Sequence, residues 1–342
     1  MADCARIASI EGVILIDIWL PLLGGFLLLI LGGEFLVRGA VRIAERLGVS
    51  PLVIGLTLVG FGTSTPELVT SLRAALAGSP GIAYGNIVGS NIANILLIVG
   101  VSALLTPITI NSAALRRDGL VMLAAAAIFS ILAATIPISR GVGVAFVLAL
   151  AAYIYLAFRQ EQKPSVADHG AVFDKAAALE GVDPAISPEP DARPNMWLAL
   201  GTAVAGLALV VLGGGFFVDG AVGFARTADI SETVIGLTIV AVGTSMPELV
   251  TSVVAAIRRQ SDVAFGNIVG SNIYNILGIG GVTALIAPSD VPDQIVRFDN
   301  LVMIGVSIAL IAASATGLMI TRREGVVLLA GYVAYVWWLW PA

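Results

Sequence analysis

The strongest constraint on the fold is an internal duplication. Shifting the chain by 181 residues places VIGLTLVGFGTSTPELVTS on VIGLTIVAVGTSMPELVTS, and GNIVGSNIANIL on GNIVGSNIYNIL. About 31 of the 50 residue pairs between 51–100 and 232–281 are identical, and weaker matches extend outwards on both sides. Such self-similarity at a fixed offset indicates that two copies of one structural unit build the molecule.

The composition places both units in a membrane. The 342 residues are 58% hydrophobic and 12% charged, whereas soluble domains are roughly 45–50% apolar and about 25% charged. Apolar runs of about 20 residues can cross a bilayer. The sequence therefore predicts an all-α, polytopic membrane protein with ten transmembrane helices, near 14–37, 52–77, 82–105, 119–138, 141–158, 196–218, 233–257, 263–287, 300–317 and 324–340.

A polar segment divides the chain. Residues 159–195 are rich in Pro, Asp and Glu and lack apolar periodicity, so they are expected to form a flexible linker. It separates a first five-helix repeat, 1–158, from a second, 196–342. An odd number of spans in each repeat forces the second copy to be inverted in the membrane. Inverted repeats are typical of alternating-access transporters that bind their substrate near the midplane of the bilayer.

The distribution of basic residues predicts the orientation. With the N-terminus outside the cell, thirteen Lys and Arg residues lie in cytoplasmic segments and five in outer segments. Cytoplasmic loops of membrane proteins carry the excess of basic residues. The protein is therefore expected in the cell (inner) membrane, with both termini outside and the linker in the cytoplasm.

A proline–glutamate motif occurs at the same place in both repeats, in GTSTPELVTS at 62–71 and GTSMPELVTS at 243–252. On a helix, the two hydroxyl residues that precede the glutamate share its face. The proline cannot donate a hydrogen bond to the carbonyl four residues earlier, which leaves backbone oxygens available to a ligand. The residues concerned are Thr63, Ser64, Pro66 and Glu67 in one repeat and Thr244, Ser245, Pro247 and Glu248 in the other.

A polar stripe follows on the next helix of each repeat. Its members are four residues apart and are Asn86, Ser90 and Asn94 in the first repeat and Asn267, Ser271 and Asn275 in the second. The first asparagine of each stripe suits helix packing as well as ligation. Each membrane carboxylate costs roughly 2.5–3.5 kcal/mol, so two at equivalent positions indicate function. With no Lys, Arg or His on these stripes, the oxygens suit a hard cation, and two negative charges match one Ca²⁺.

Other polar residues predict little chemistry. One cysteine, Cys4, and one histidine, His169, cannot build a cysteine or histidine metal site. No nucleophile–base pair or cofactor motif is present, so an enzyme is not expected and no cofactor is implied. Inorganic cations and the lipid bilayer are the implied partners, and nothing points to nucleic acid or a protein partner. Helix i, i+4 pairing is predicted for Glu34 with Arg38, and helix starts or caps for Asp118 and Asp299.

At these motifs the sequence resembles the calcium/cation antiporter superfamily, specifically prokaryotic sodium/calcium exchangers. The resemblance rests on GTSTPELVTS with GNIVGSNIANIL and on GTSMPELVTS with GNIVGSNIYNIL, and it covers nearly the whole membrane part. It implies ten helices. Helices 2, 3, 7 and 8 would surround four cation sites, and helices 1 and 6 would slide across this core to alternate access.

The resemblance also implies a set of cation ligands. Glu67 and Glu248 would be the central Ca²⁺ ligands, shared with Na⁺. Flanking Na⁺ sites would use Ser64, Ser90, Ser245 and Ser271. Backbone oxygens would come from Thr63, Thr244, Gly60 and Ala241, and the middle site would be lined by Asn94 and Asn275.

Three functions remain open at the level of the sequence. Some members of the superfamily carry Asp where this chain has Asn275, and potassium-dependent members use acidic residues in this stripe. With Asn in both repeats, Na⁺/Ca²⁺ exchange is favoured over K⁺-coupled exchange. A Ca²⁺/H⁺ antiporter, in which Glu67 and Glu248 carry protons, is the first alternative, and a cation channel that uses the same oxygens is the second.

Overall fold

The computed structural model describes residues 15–46, 62–110, 113–161, 195–257, 259, 261–316 and 319–340. Almost all of them are helical. The linker predicted at 159–195 falls largely outside the described residues, as does the first part of the helix predicted near 52–77. Helices in the first repeat are α1 (Leu20–Arg46), α2 (Thr65–Leu76), α3 (Pro80–Ala93), α4 (Gly100–Leu105), α5 (Ala113–Thr135) and α6 (Arg140–Glu161).

The structure describes eight helices in the second repeat. Its helices are α7 (Met196–Thr227), α8 (Glu232–Ile235), α9 (Ala241–Thr244), α10 (Met246–Ile257), α11 (Ser261–Ile273), α12 (Gly281–Ile286), α13 (Asn300–Thr316) and α14 (Arg322–Leu339). Two short strands, β1 (Ile108–Thr109) and β2 (Met319–Ile320), pair antiparallel and join the two repeats at one point.

Wider, π-helical turns interrupt several of these helices. They cover Leu15–Trp19, Asn94–Val99, Gly236–Val240, Tyr274–Gly280 and Ile295–Asp299. The second and fourth lie at equivalent places in the two repeats and join α3 to α4 and α11 to α12. π turns inside helices are frequent at functional sites. Their position at the ends of the two polar stripes therefore indicates that this region is a candidate functional site.

Seven helical stretches in the described residues are long and apolar enough to cross a membrane. An eighth results if the bent pair Glu232–Thr244 and Met246–Ile257, inclined by 49°, is one span. The chain is therefore a multi-pass membrane protein. The seven are Asp17–Leu36, Pro80–Leu105, Arg117–Thr135, Arg140–Ala157, Met196–Thr227, Ala264–Ile286 and Ile295–Ala313.

Two of the ten predicted spans are not among these candidates. The structure describes only the last part of the helix predicted near 52–77, which is α2. The helix predicted near 324–340 is present as α14, but Arg322, Arg323 and Glu324 occupy its first turn. The uncharged remainder from Gly325 to Leu339 is shorter than the roughly 20 residues that span a bilayer upright.

Two spans form the centre of the molecule. In the stretch Pro80–Leu105, 83% of the most apolar 18-residue segment is buried inside the protein. The corresponding share in Ala264–Ile286 is 89%. The other five candidates are only 22–39% buried, so they surround the centre and face lipid. The chain therefore shields the two helices that carry the polar stripes from the membrane.

Glycines hold α1 and α7 together along their length. In each helix three glycines recur every seven residues along the contact, and they are Gly25, Gly32 and Gly39 on α1 and Gly206, Gly213 and Gly220 on α7. A Cβ atom added to Gly206 would lie 2.2 Å from the backbone nitrogen of Leu36. Small residues at such a spacing let two membrane helices pack backbone to backbone. The two helices, which run antiparallel, therefore form a close pair.

Two predictions about polar residues have different outcomes. The ion pair between Glu34 and Arg38 on α1 is present. The helix-start interpretation of Asp118 and Asp299 is wrong. Asp118 lies inside α5, fully buried, where the guanidinium of Arg117 reaches it at 2.7 Å. Asp299 ends a π turn and accepts a hydrogen bond of 2.8 Å from the Tyr335 hydroxyl, so both carboxylates are held by partners inside the helix bundle.

The close pair of α1 and α7 predicts a sharp contrast between two glycines of α7. Gly206→Val places a side chain against the α1 backbone and should lower the free energy of unfolding by about 1–3 kcal/mol or more. Gly215→Val is the control, because a Cβ there meets nothing within 4 Å. Thermal unfolding of the purified protein in detergent measures both. Equal midpoints for the two variants would contradict the backbone contact.

Candidate cation-binding site

The predicted helix breaks are present in both repeats and have the same geometry. In the first repeat the chain turns at Thr63 and Ser64 before α2 begins, and in the second it turns at Ser245 between α9 and α10. The backbone angles of Ser64 (φ −85°, ψ 7°) and Ser245 (φ −83°, ψ 7°) are nearly identical. The cause is the proline two residues later, which cannot continue the helical hydrogen bonding.

The two glutamates lie at these breaks, deep inside the protein. Glu67 and Glu248 are each 1% exposed. The Ser64 hydroxyl donates to Glu248 Oε1 at 3.1 Å, and the Ser245 hydroxyl donates to Glu67 Oε1, also at 3.1 Å. Each repeat therefore positions the carboxylate of the other, and the two acidic groups converge at the interface between the repeats.

The first asparagine of each stripe holds the glutamate helix in place. The side-chain amide of Asn86 donates to the backbone carbonyl of Glu67 at 3.2 Å and to the Ser71 hydroxyl at 2.9 Å. Asn267 does the same in the second repeat, with the Glu248 carbonyl at 3.4 Å and the Ser252 hydroxyl at 2.8 Å. Of the two roles considered for these asparagines, the structure shows the packing role for the amide nitrogen.

The oxygens of these two asparagines are used differently. Asn86 Oδ1 accepts a hydrogen bond of 2.9 Å from the hydroxyl of Thr244, which belongs to the other repeat. Asn267 Oδ1 is buried and has no hydrogen-bond partner among the residues that the structure describes. The two halves of the site are thus equivalent in sequence but not in conformation.

The other predicted ligands are buried around the glutamates. The Ser90 hydroxyl lies 3.5 Å from the carbonyl of Ala241, across the interface between repeats. Asn94 donates to the Asn272 side chain at 2.9 Å. Both side-chain polar atoms of Asn275 lack a hydrogen bond within the described part of the chain. Thr63 and Ser271 are buried as well, whereas Gly60 lies outside the described residues.

Sequence reasoning missed a further pair of buried asparagines, Asn91 and Asn272. They occupy the same place in the motif GSNI of each repeat. Asn272 accepts from Asn94 and donates to the backbone carbonyl of Asn91 at 3.4 Å, so it links α11 to α3. Its occurrence at equivalent positions of both repeats could have indicated a function. However, this asparagine does not lie on the predicted polar stripe, so the sequence analysis assigned it no role.

The chemistry of the site is that of oxygen donors. The buried polar side chains in the described ranges are carboxylates, amides and hydroxyls, and none is Lys, Arg or His. The same residues contain no group of three or more His, Cys, Asp or Glu that could hold a metal ion. Any cation at the site is therefore bound by two carboxylates and neutral oxygens, which suits Ca²⁺ and Na⁺ rather than a transition metal.

A family pattern described as sodium/calcium exchanger protein matches residues 18–159 and 198–340. The chain belongs to this family. Both matched ranges contain one proline–glutamate motif and one polar stripe.

Known relatives cover nearly the whole chain. The sodium/calcium exchanger MaX1 of Methanosarcina acetivorans is 39% identical over 93% of this chain and 97% of its own length. The putative antiporter CaxA of Alkalimonas amylolytica is 36% identical over 93% and 97%. The solved structure of the sodium-calcium exchanger NCX_Mj, soaked with 2.5 mM Na⁺ and 0.1 mM Sr²⁺, matches with a TM-score of 0.60, 31% identity and coverage of 94% and 98%.

The asparagine link between the repeats leads to a prediction about stability. Asn272→Ala leaves the buried amide of Asn94 without its acceptor, which should cost about 1–3 kcal/mol of unfolding free energy. The matched control is Ser307→Ala, because within the described residues the buried Ser307 hydroxyl bonds only to the Met303 carbonyl of its own helix. Thermal unfolding in detergent should separate the two variants. If Asn272→Ala melts at the control's midpoint, the link does not stabilise the fold.

Proposed function

We propose that the protein is a secondary active antiporter that exchanges Na⁺ for Ca²⁺ across the membrane by alternating access. The observation that carries this proposal is the convergence of two buried carboxylates from opposite repeats, each bonded to a serine of the other. Two negative charges at one place in an apolar protein require a compensating cation. The names of the relatives point to the same pair of ions.

The proposed ligands fall into three groups. Glu67 and Glu248 bind Ca²⁺ at the centre and contribute to Na⁺ binding. The serines Ser64, Ser90, Ser245 and Ser271 serve the flanking Na⁺ positions. Neutral oxygens complete the shell and come from Thr63, Thr244, Gly60, Ala241, Asn94 and Asn275.

Coupling between the two ions follows from charge. An empty site holds two carboxylates, and moving them past an apolar barrier carries a large desolvation cost. One Ca²⁺, or several Na⁺, neutralises the carboxylates and lowers that cost, so only the loaded protein changes its access. An exchange of three Na⁺ for each Ca²⁺ would move net charge and make the rate voltage-sensitive.

The proposed architecture is ten spans in two inverted five-helix repeats, 1–158 and 196–342, joined by the linker 159–195. Both termini lie outside the cell membrane and the linker lies in the cytoplasm, as the distribution of basic residues predicts. The glycine contacts between α1 and α7 support a role for these helices as one moving unit. In this proposal the pair slides across the buried core helices and opens the site to alternate sides.

Loss of either central carboxylate should abolish exchange. Glu67→Gln and Glu248→Gln keep the shape of the side chain but remove one of the two charges that bind Ca²⁺. We expect no ⁴⁵Ca²⁺ uptake into Na⁺-loaded proteoliposomes for either variant. Asp293→Asn is the control, because this carboxylate is 86% exposed and pairs with Arg297 on the surface. Uptake by a Gln variant at the wild-type rate would overturn the site.

The same assay separates the alternative functions. Uptake that needs Na⁺ inside the vesicles supports Na⁺/Ca²⁺ exchange. Uptake driven by a pH gradient alone would identify a Ca²⁺/H⁺ antiporter with the glutamates as proton carriers. Flux that depends on no counter-ion would identify a channel.

The orientation can be tested with the natural cysteine. Cys4 is the only cysteine of the chain, so a membrane-impermeant maleimide should label the protein in intact cells. For comparison, Ser165→Cys in a Cys4→Ser background places the only thiol in the linker and should react only after lysis. The reverse pattern of labelling would show that the N-terminus is cytoplasmic.

A further inference from the structure

An open groove lies between the second half of α1 and the start of α7, away from the cation site. Its volume is about 450 Å³. The residues that line it include Phe35, Arg38, Arg42, Trp197, Leu198 and Thr202.

One face of α1 changes from apolar to cationic along this groove. Leu31, Phe35, Arg38 and Arg42 are spaced by four, three and four residues, so they follow one another along the same side of the helix. Leu31 and Phe35 are 47% and 38% exposed. At 1.5 Å per residue, the stripe rises by about 16 Å from its apolar end to Arg42. This length matches the upper part of a lipid chain together with its headgroup.

The cationic end of the groove carries hydrogen-bond donors. Arg38 pairs with Glu34 on the same helix, which neutralises part of its charge. Arg42 has neither an ion pair nor a hydrogen bond with any residue that the structure describes. A guanidinium presents five N–H donors in a planar fork that fits a phosphate. Among the described residues, the groove therefore retains one positive charge without a counter-ion beside the Arg38–Glu34 pair.

The other wall of the groove is amphipathic. Trp197 and Leu198 begin α7 and are 80% and 64% exposed. Tryptophan is enriched where the hydrocarbon of the bilayer meets the headgroups. The position of Trp197 opposite the arginines indicates that the cationic end lies at headgroup level.

We propose that this groove binds an anionic phospholipid of the surrounding bilayer. The phosphate lies against Arg42, and an acyl chain follows Phe35 and Leu31 towards the membrane interior. A soluble phosphate would use the arginines but would leave the exposed apolar stripe uncovered. The site is distinct from the buried glutamates, and its occupancy does not depend on the proposed exchange activity.

Lipid binding can be measured on the purified, full-length protein in detergent by native mass spectrometry. Phosphatidylglycerol should bind about tenfold more tightly than phosphatidylcholine, since only the former brings net negative charge to Arg42. Arg42→Gln should weaken phosphatidylglycerol binding about tenfold and phosphatidylcholine binding less, so the preference between the two lipids should be largely lost. Equal affinities of the wild-type protein for the two lipids would overturn the proposal.

The control variant is Arg226→Gln. Arg226 lies in the last turn of the same helix α7, is exposed, and does not line the groove. We expect Arg226→Gln to bind both lipids as the wild-type protein does. An equal loss of phosphatidylglycerol binding in Arg226→Gln and Arg42→Gln would show that any exposed arginine suffices, which contradicts a defined site.

Two further measurements distinguish the bound species and its position. Phosphatidylglycerol with brominated acyl chains should quench the fluorescence of Trp197, and the Trp197→Phe variant should lose that part of the quenching. Unchanged quenching in Trp197→Phe would place the lipid elsewhere. Inorganic phosphate at the same concentration should not displace the lipid, and displacement would assign the groove to a soluble anion.

Discussion

The burial of two carboxylates in a membrane protein is the constraint on which the rest of the structure depends. Glu67 and Glu248 are almost completely enclosed, in a region where each charge is costly. Their helices are broken by proline so that serine hydroxyls reach across the interface, and asparagines fix the helices behind them. The most buried spans carry these asparagines, and the apolar spans surround them.

The same constraint explains why the protein is built from two similar halves. A single repeat contributes one carboxylate of the pair, and its serine bonds to the carboxylate of the other repeat. Neither half contains a complete site. The differing use of Asn86 and Asn267 shows that equivalent sequences adopt unequal conformations around the same centre.

The periphery of the molecule serves a different purpose from its centre. Regular glycines bring α1 and α7 into backbone contact, which suits the proposed movement of the two helices as one body against the core. The groove at one end of this pair presents cationic and apolar side chains to the bilayer. A lipid held there would touch both helices of the pair, whereas the cation site is enclosed by the helices behind them.

The sequence by itself determined the membrane class, the duplication and the chemistry of the site, because composition, repeat offset and helical spacing are local or directly comparable properties. It identified the two glutamates, the helix breaks beside Ser64 and Ser245, and the Glu34–Arg38 pair. Only the tertiary structure decided which faces meet. The Ser64–Glu248 contact joins residues 184 positions apart, the link through Asn272 crosses between repeats, and Asp118 and Asp299 are buried among helices that sequence patterns treat as separate. Helical periodicity specifies the polar face of each helix, but the partner of that face depends on how all the helices pack.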